Sequence, residues 1–275
     1  MEHQGEPLAR IAAALERIAP AARAATDWLG SPAYVWTGAD ARAVSRIEAP
    51  PLELLRGVDA QKQAVTANVL RHARGHAAHD MLLWGARGAG KSALLRAATV
   101  AAQDELPERI ALVQVGTEAL SGLSALIAEL APLERRFLLF IDDLGFADDD
   151  TVGPRQLRSW LEGGVEARPA NVRLAVTANR RAIVAREASE QDDPLNPRDL
   201  IDDRLALADR FGLSLGFHAF SQGQYLAIVG GYAEAFGLRW DESDALEWAR
   251  RRGARSGRTA WHYVTELAGR AGRAL

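Results

Sequence analysis

The chain has 275 residues, with 33 Lys+Arg against 36 Asp+Glu, a formal net charge of −3, 48% hydrophobic residues, 24 Gly, 11 Pro and no Cys. This composition excludes fibrous and disordered classes, and the lack of cysteine excludes disulfides, thiolate zinc sites, iron–sulfur clusters and cysteine nucleophiles. No apolar run approaches the ~18 residues of a membrane span, and the N-terminus lacks a basic segment followed by a hydrophobic stretch. The expectation is a soluble, cytoplasmic protein with no membrane partner, and the near-neutral balance argues against a nucleic-acid coat.

Leu8, Ile11, Leu15 and Ile18 recur at spacings of three and four and predict an amphipathic helix. From Gly30 to Pro51 the composition shifts to Gly, Pro and aromatics, which predicts an extended linker that packs on something. Trp28, Tyr34 and Trp36 are either anchors for a partner or packed across the core, and packing is the simpler reading. Then β-type runs alternate with helical stretches: Met81 to Trp84, Ile110 to Val115, Phe137 to Ile141, Val172 to Thr177 and Leu213 to Phe217. That alternation predicts a parallel five-stranded sheet covered by helices on both faces, an α/β three-layer sandwich. From Ser221 three helical patterns follow: Ser221 with Gln224 forms a capping box, Gly253 stops the middle helix, and Trp261, Val264 and Leu267 share a face of the last. The expected division is an N-terminal helix and linker (1–50), an α/β nucleotide-binding domain (51–220) and a small helical lid domain (221–275). Of the 33 basic residues only two, Lys62 and Lys91, are lysines, a habit of composition.

Gly85-Ala86-Arg87-Gly88-Ala89-Gly90-Lys91-Ser92 fits the P-loop pattern, and it lies between a predicted strand and the helical run that begins at Ala93. The glycines let consecutive backbone N–H groups curl around phosphate oxygens, and the following helix points its positive end at them. Lys91 would reach the β/γ-phosphates and Ser92 would ligate Mg²⁺. Downstream, Phe137-Leu138-Leu139-Phe140-Ile141 ends in Asp142 and Asp143. Asp142 suits Mg²⁺ held through water, and Asp143 stands where a general base or water-orienting carboxylate belongs. The next strand runs into Asn179, which either orients the attacking water or caps a helix from Arg181 onward. Arg210, before the last strand, and the arginines around Gly257 are candidates for stabilising charge on a transferring phosphoryl group.

In this order the elements resemble an AAA+ ATPase module over roughly residues 50–275. More narrowly, Leu82 to Gly88, Asp142 to Leu144, Leu161 to Pro169, Thr177 to Arg181 and Asp209 to Leu213 are similar to a bacterial family of ATP-binding AAA+ proteins known as domain of unknown function 815. The resemblance implies Lys91 and Ser92 as Walker A residues, Asp142 and Asp143 as Walker B, and Asn179 as sensor 1. It also implies Arg210 as an arginine finger given to a neighbouring subunit and Arg258 as sensor 2, a role that Arg255 fits as well. Leu55-Arg56-Gly57-Val58-Asp59 matches the segment that wraps the adenine. Most AAA+ ATPases carry Glu at the position of Asp143; the narrower family shares the Asp, which implies slow hydrolysis.

The leading expectation is therefore an ATPase that uses Mg²⁺ and ATP to remodel or load a macromolecular partner, assembled as a homo-oligomer such as a hexameric ring. The alternative is an ATP-gated binding switch with little hydrolysis of its own. A P-loop small-molecule kinase lacks a separate acceptor motif. Nucleic acid, suggested by Arg250, Arg251, Arg252, Arg255 and Arg258, is not favoured, because a solvated helix face explains the cluster. A metal site at His72, His76, His79 and Asp80 is disfavoured by Gly75, and the run Asp148 to Asp150 reads as solvated surface.

Overall fold

The computed structural model describes residues 26–145, 157, 160–161, 168–179 and 209–275. The expected helix at Leu8 to Ile18, the run Asp148 to Asp150, most of the Leu161 to Pro169 segment, and Arg180 and Arg181 lie outside them. Among the described residues seven strands form one sheet: β1 (Ala33–Trp36), β2 (Ala41–Val44), β3 (Met81–Gly85), β4 (Ile110–Val115), β5 (Arg136–Ile141), β6 (Val172–Ala178) and β7 (Leu213–Phe217). Their spatial order is β2-β1-β4-β5-β6-β3-β7, parallel throughout except for the β1/β2 pair. The helices are α1 (Asp59–Ala73), α2 (Lys91–Glu105), α3 (Leu123–Leu130), α4 (Gln222–Ala235), α5 (Glu242–Arg251) and α6 (Gly257–Arg270).

Successive strand residues feed opposite cores, as the two-residue period requires. Met81, Leu83, Leu138, Phe140 and Ala175 face α1 and α2, whose Val65, Val69, Leu94, Leu95 and Ala98 are wholly buried. Leu82, Phe137, Leu139, Ile141 and Val176 face α3 and the described part of the 157–161 segment. Burial on both faces explains why Met81 to Trp84 and Phe137 to Ile141 carry no charged residue.

All five expected parallel strands are present, but the sheet is wider than expected. The segment read as an extended linker is extended, and it adds the β1/β2 hairpin alongside β4. Its turn closes with the Thr37 N–H donating to Asp40 O at 2.9 Å, and Gly38 supplies a φ of +100°. The physical reason for the extra strands is the alternation in Ala33-Tyr34-Val35-Trp36, which puts Tyr34 and Trp36 on one face with Trp28, all three buried. The aromatic trio is thus core. Arg135, 7% exposed, secures it by donating from one guanidinium nitrogen to the carbonyls of Trp28, Leu29 and Ser31 at 2.8–3.1 Å.

Each lid helix starts at a side-chain cap. Ser221 and Gln224 form the reciprocal capping box on α4, Asp241 accepts from Asp244 N–H on α5, and Ser256 accepts from Thr259 N–H on α6. Tyr225, Val229, Ala245, Ala260 and Val264 are wholly buried in the cluster that also covers α1 and α2, so lid and sheet share one core.

His72 on α1 is buried, and its Nε2 lies 3.1 Å from Phe137 O, so the neutral tautomer with the proton on Nε2 donates there. Burial lowers its pKa from 6.5 to about 4. The folded state therefore binds fewer protons than the unfolded state between these values, and stability present above pH 6.5 is lost as pH falls toward 4. The expected loss is about 2 kcal/mol by pH 5 and about 3 kcal/mol in all. Urea unfolding of wild type beside His72→Gln should show the steeper acid slope in wild type, and equal slopes would refute it.

Candidate functional site

β3 ends at Gly85, where φ is +121° and an added Cβ would lie 2.0 Å from Phe217 O, so only glycine fits. Ala86 N–H donates to that same carbonyl at 2.7 Å, which fixes the bend. Gly88 and Gly90 also have positive φ, +73° and +96°, and Gly90 leads directly into α2. Lys91 folds back over the loop and donates from Nζ to Gly85 O at 2.8 Å and Ala86 O at 2.9 Å. Its pKa is lowered, chiefly by burial, with Arg258 and Arg87 adding like charge and Asp143 and Asp142 opposing. Lys91, with the charge of Arg87 and Arg258 felt at its ammonium, thus lies on a glycine loop at a helix N-terminus, an arrangement suited to a polyanion.

β6 lies between β3 and β5, with Leu83 opposite Thr177 and Ile141 opposite Val176, so the C-terminal ends of three adjacent strands meet. Asp142 Oδ1 accepts the Ser92 hydroxyl and the Thr177 hydroxyl, each at 2.6 Å. Asp143 N–H donates to Thr177 Oγ1 at 2.8 Å, and the Asn179 amide donates to Asp143 Oδ1. Asn179 therefore engages the second carboxylate; the helix that the alternative reading had it cap lies outside the described residues. The donors around Ser92 and Asp142 are oxygens only, a set that fits Mg²⁺ with waters completing its shell.

Ser256 and Arg258, at the start of α6, sit on the loop. Arg258 N–H donates to Gly88 O at 3.2 Å, and a Cβ on Gly88 would lie 2.8 Å from Ser256 Oγ. Gly57, with φ of +77°, and Val58 connect the loop region to the lid: a Cβ on Gly57 would come within 3.2 Å of the Phe220 ring and 4.0 Å of Ile228. Lys62 Nζ holds this segment by donating to Leu55 O at 3.0 Å.

The structure thus brings Lys91, Ser92, Asp142, Asp143, Asn179 and Arg258 together, with Gly57 and Val58 alongside. Arg210 is not among them. It precedes Leu213, which pairs with Met81, whereas Gly85 pairs with Phe217, so Arg210 lies at the opposite end of the sheet. The residues that the motifs did not single out are Thr177 and Phe220. Thr177 was signalled by its place two residues before Asn179, since positions i and i+2 of a strand share a face. The suspected metal cluster does not form: His72 bonds Phe137 O, Asp80 pairs with Arg168, and no group of metal-binding side chains converges among the described residues.

The sheet order, the glycine loop at the end of β3 and the three-helix lid define an AAA+ fold. The same fold occurs in the Holliday junction branch migration motor RuvB of Thermotoga maritima (17% identity, TM-score 0.51, covering 81% of this chain and 66% of that one). A substituted form of that RuvB gives 18% identity and a TM-score of 0.54, covering 82% and 67%. The Orc1 protein of Aeropyrum pernix, solved in complex with DNA, gives 16% and 0.55, covering 80% and 65%. The chain spans about two thirds of the length of these relatives. Within this fold the chain belongs to the family described as "Protein of unknown function (DUF815)", whose model matches residues 30–271. No functionally curated protein matches it in sequence.

The backbone N–H of Arg258 sets the start of α6 on Gly88 and its guanidinium adds like charge at Lys91, so Arg258→Ala, which keeps the backbone bond and deletes the charge, should weaken ADP and ATP binding by about tenfold, on the order of 1–2 kcal/mol for a charged contact to phosphate. Arg255→Ala should stay within about twofold. Titration calorimetry decides, and equal losses in the two variants would refute the assignment.

Proposed function

We propose that the chain binds Mg-ATP on the Gly85 to Ala93 loop and hydrolyses it slowly, coupling turnover to the remodelling or loading of a macromolecular partner. The observation that carries this reading is the convergence of Lys91, Ser92, Asp142, Asp143 and Asn179 at the ends of β3, β5 and β6, with Arg258 of the lid on Gly88. The loop amides and Lys91 hold the phosphates, while Gly57 and Val58 flank the base with Phe220 behind them. Ser92 and Asp142 would hold Mg²⁺, which, when bound, neutralises charge on the phosphates. Asp143 orients the attacking water and takes its proton, and Asn179 aligns that carboxylate. Asp143 reaches one methylene less far than Glu, which supports slow turnover.

Arg210 supports assembly. The strand from Leu213 to Phe217, about 13 Å long, lies between it and the loop, so it stands away from its own site. On this reading it completes a neighbour's site, in a homo-oligomer such as a ring. The reading takes a protein partner and does not favour nucleic acid: Arg250 and Arg251 both pair with Glu247, and Arg252 bonds His262 at 3.1 Å over the Trp248 ring, contacts in keeping with a solvated helix face. RuvB and Orc1, by contrast, are described with DNA junctions or DNA.

A second reading, an ATP-gated switch, is favoured by one observation: the start of α6 rests on Gly88, so phosphate on the loop bears directly on the lid. Turnover measured across a protein concentration series, with mass by light scattering, separates the two. For the motor, activity per subunit rises with concentration, Arg210→Ala lowers it about 10³-fold and flattens the dependence, and Asp143→Asn lowers it about 10²-fold with nucleotide still bound. Negligible turnover at every concentration despite tight binding would overturn hydrolysis and leave the switch.

A further inference from the structure

Thr177 is 1% exposed on β6, out of reach of water, yet both of its hydrogen-bonding oxygens leave the strand to serve the residues after β5. Its hydroxyl donates to Asp142 Oδ1 at 2.6 Å and accepts from Asp143 N–H at 2.8 Å, while its carbonyl accepts from Leu144 N–H at 2.7 Å. A hydroxyl has one proton to give, and the amide can only donate, so the proton goes to Asp142 and a lone pair to Asp143. The rotor has a single satisfied orientation.

Both carboxylates depend on that orientation. Asp142 Oδ1 is shared between Thr177 and Ser92, so Thr177 fixes from within the sheet the oxygen that Ser92 meets from α2. Asp143 sits at φ of +52°, in the left-handed region that non-glycine residues rarely adopt. The two bonds from Thr177 to Asp143 and Leu144 bracket this residue and hold it there. A buried strand threonine commonly bonds within its own surroundings for packing alone; this one spans two strands and touches the backbone or side chain of three consecutive residues that bear on the site.

We propose that Thr177 is a positioning residue that sets the placement of the two carboxylates, governing Mg²⁺ affinity through Asp142 and turnover through the Asp143 backbone. The proposal rests on the Mg-ATP reading above. Binding of nucleotide without metal depends on the loop amides, Lys91 and the Gly57 segment, and is independent of Thr177.

Full-length Thr177→Val, which keeps the shape and deletes the hydroxyl, Thr177→Ala and Thr177→Ser are compared with wild type. A fluorescent ADP analogue is titrated without metal and then with Mg²⁺, and turnover and urea unfolding are measured on the same preparations. For valine and alanine the expected result is metal-free affinity within about twofold of wild type, a Mg²⁺ requirement raised about tenfold, and kcat lowered about 10–100-fold. Serine should return the Mg²⁺ requirement to within about threefold. A fall in stability with an unchanged Mg²⁺ requirement and kcat would show packing alone and overturn the assignment of Thr177. A wild type with no Mg²⁺-dependent nucleotide binding would overturn the Mg-ATP reading itself, and the proposal with it.

Discussion

The carbonyl of Phe217 occupies the space that any side chain on Gly85 would need, 2.0 Å from an added Cβ. Because residue 85 is glycine, β3 can turn against β7 at that point, and Ala86 N–H locks the turn on the same oxygen. The turn directs the loop toward the ends of β6 and β5, where the carboxylates lie. It also starts α2 from Gly90 with Lys91 and Ser92 in its first turn, so Ser92 meets Asp142 without further adjustment. The lid then closes on the loop at Gly88, another residue whose missing side chain makes room for a neighbour, here Ser256. One steric vacancy at the end of a strand thus sets the positions of most of the site.

The lid is a continuation of one face of the sheet domain. Its three helices are held together by Tyr225 OH donating to Ala245 O and Tyr263 OH to Asp244, and their apolar sides join the core of α1 and α2. The Leu55 to Val58 segment is threaded between them, with Arg56 lying across Gly231 and 3.8 Å from Glu234. That segment therefore packs against the sheet side and the lid side at once.

The five parallel strands, the glycine loop, the carboxylate pair and the three lid helices were legible because each is a local pattern: apolar runs of strand length, glycines at fixed offsets, caps at helix starts. The hairpin was not, because Pro32, Gly38 and Pro50-Pro51 dominate its composition and hide the alternation of Tyr34 and Trp36. Nor was the clamp of Arg135 on Trp28, which joins residues 107 apart and leaves no periodic trace. Local patterning likewise named Asp142 and Asn179; Thr177, two residues before Asn179 on the same strand face, meets Asp142 and Asp143 only because β6 is inserted between β3 and β5, a fact of strand order that spacing does not carry. Arginine density was a poor guide in the other direction: within one cluster Arg250 and Arg251 pair with Glu247 and Arg252 with His262, whereas Arg258 sets its backbone N–H on Gly88 O.

The β1/β2 hairpin has an effect on solubility as well as on shape. Without it, β4 would end the sheet, offering the nearly uninterrupted apolar run Ile110 to Val115 as an open row of amides and carbonyls for another chain to pair with. With it, that margin is formed by β2, only four residues long and carrying the exposed Arg42. A short, charged border is a poor template for strand addition, so the hairpin insulates this edge of the sheet against pairing with another chain.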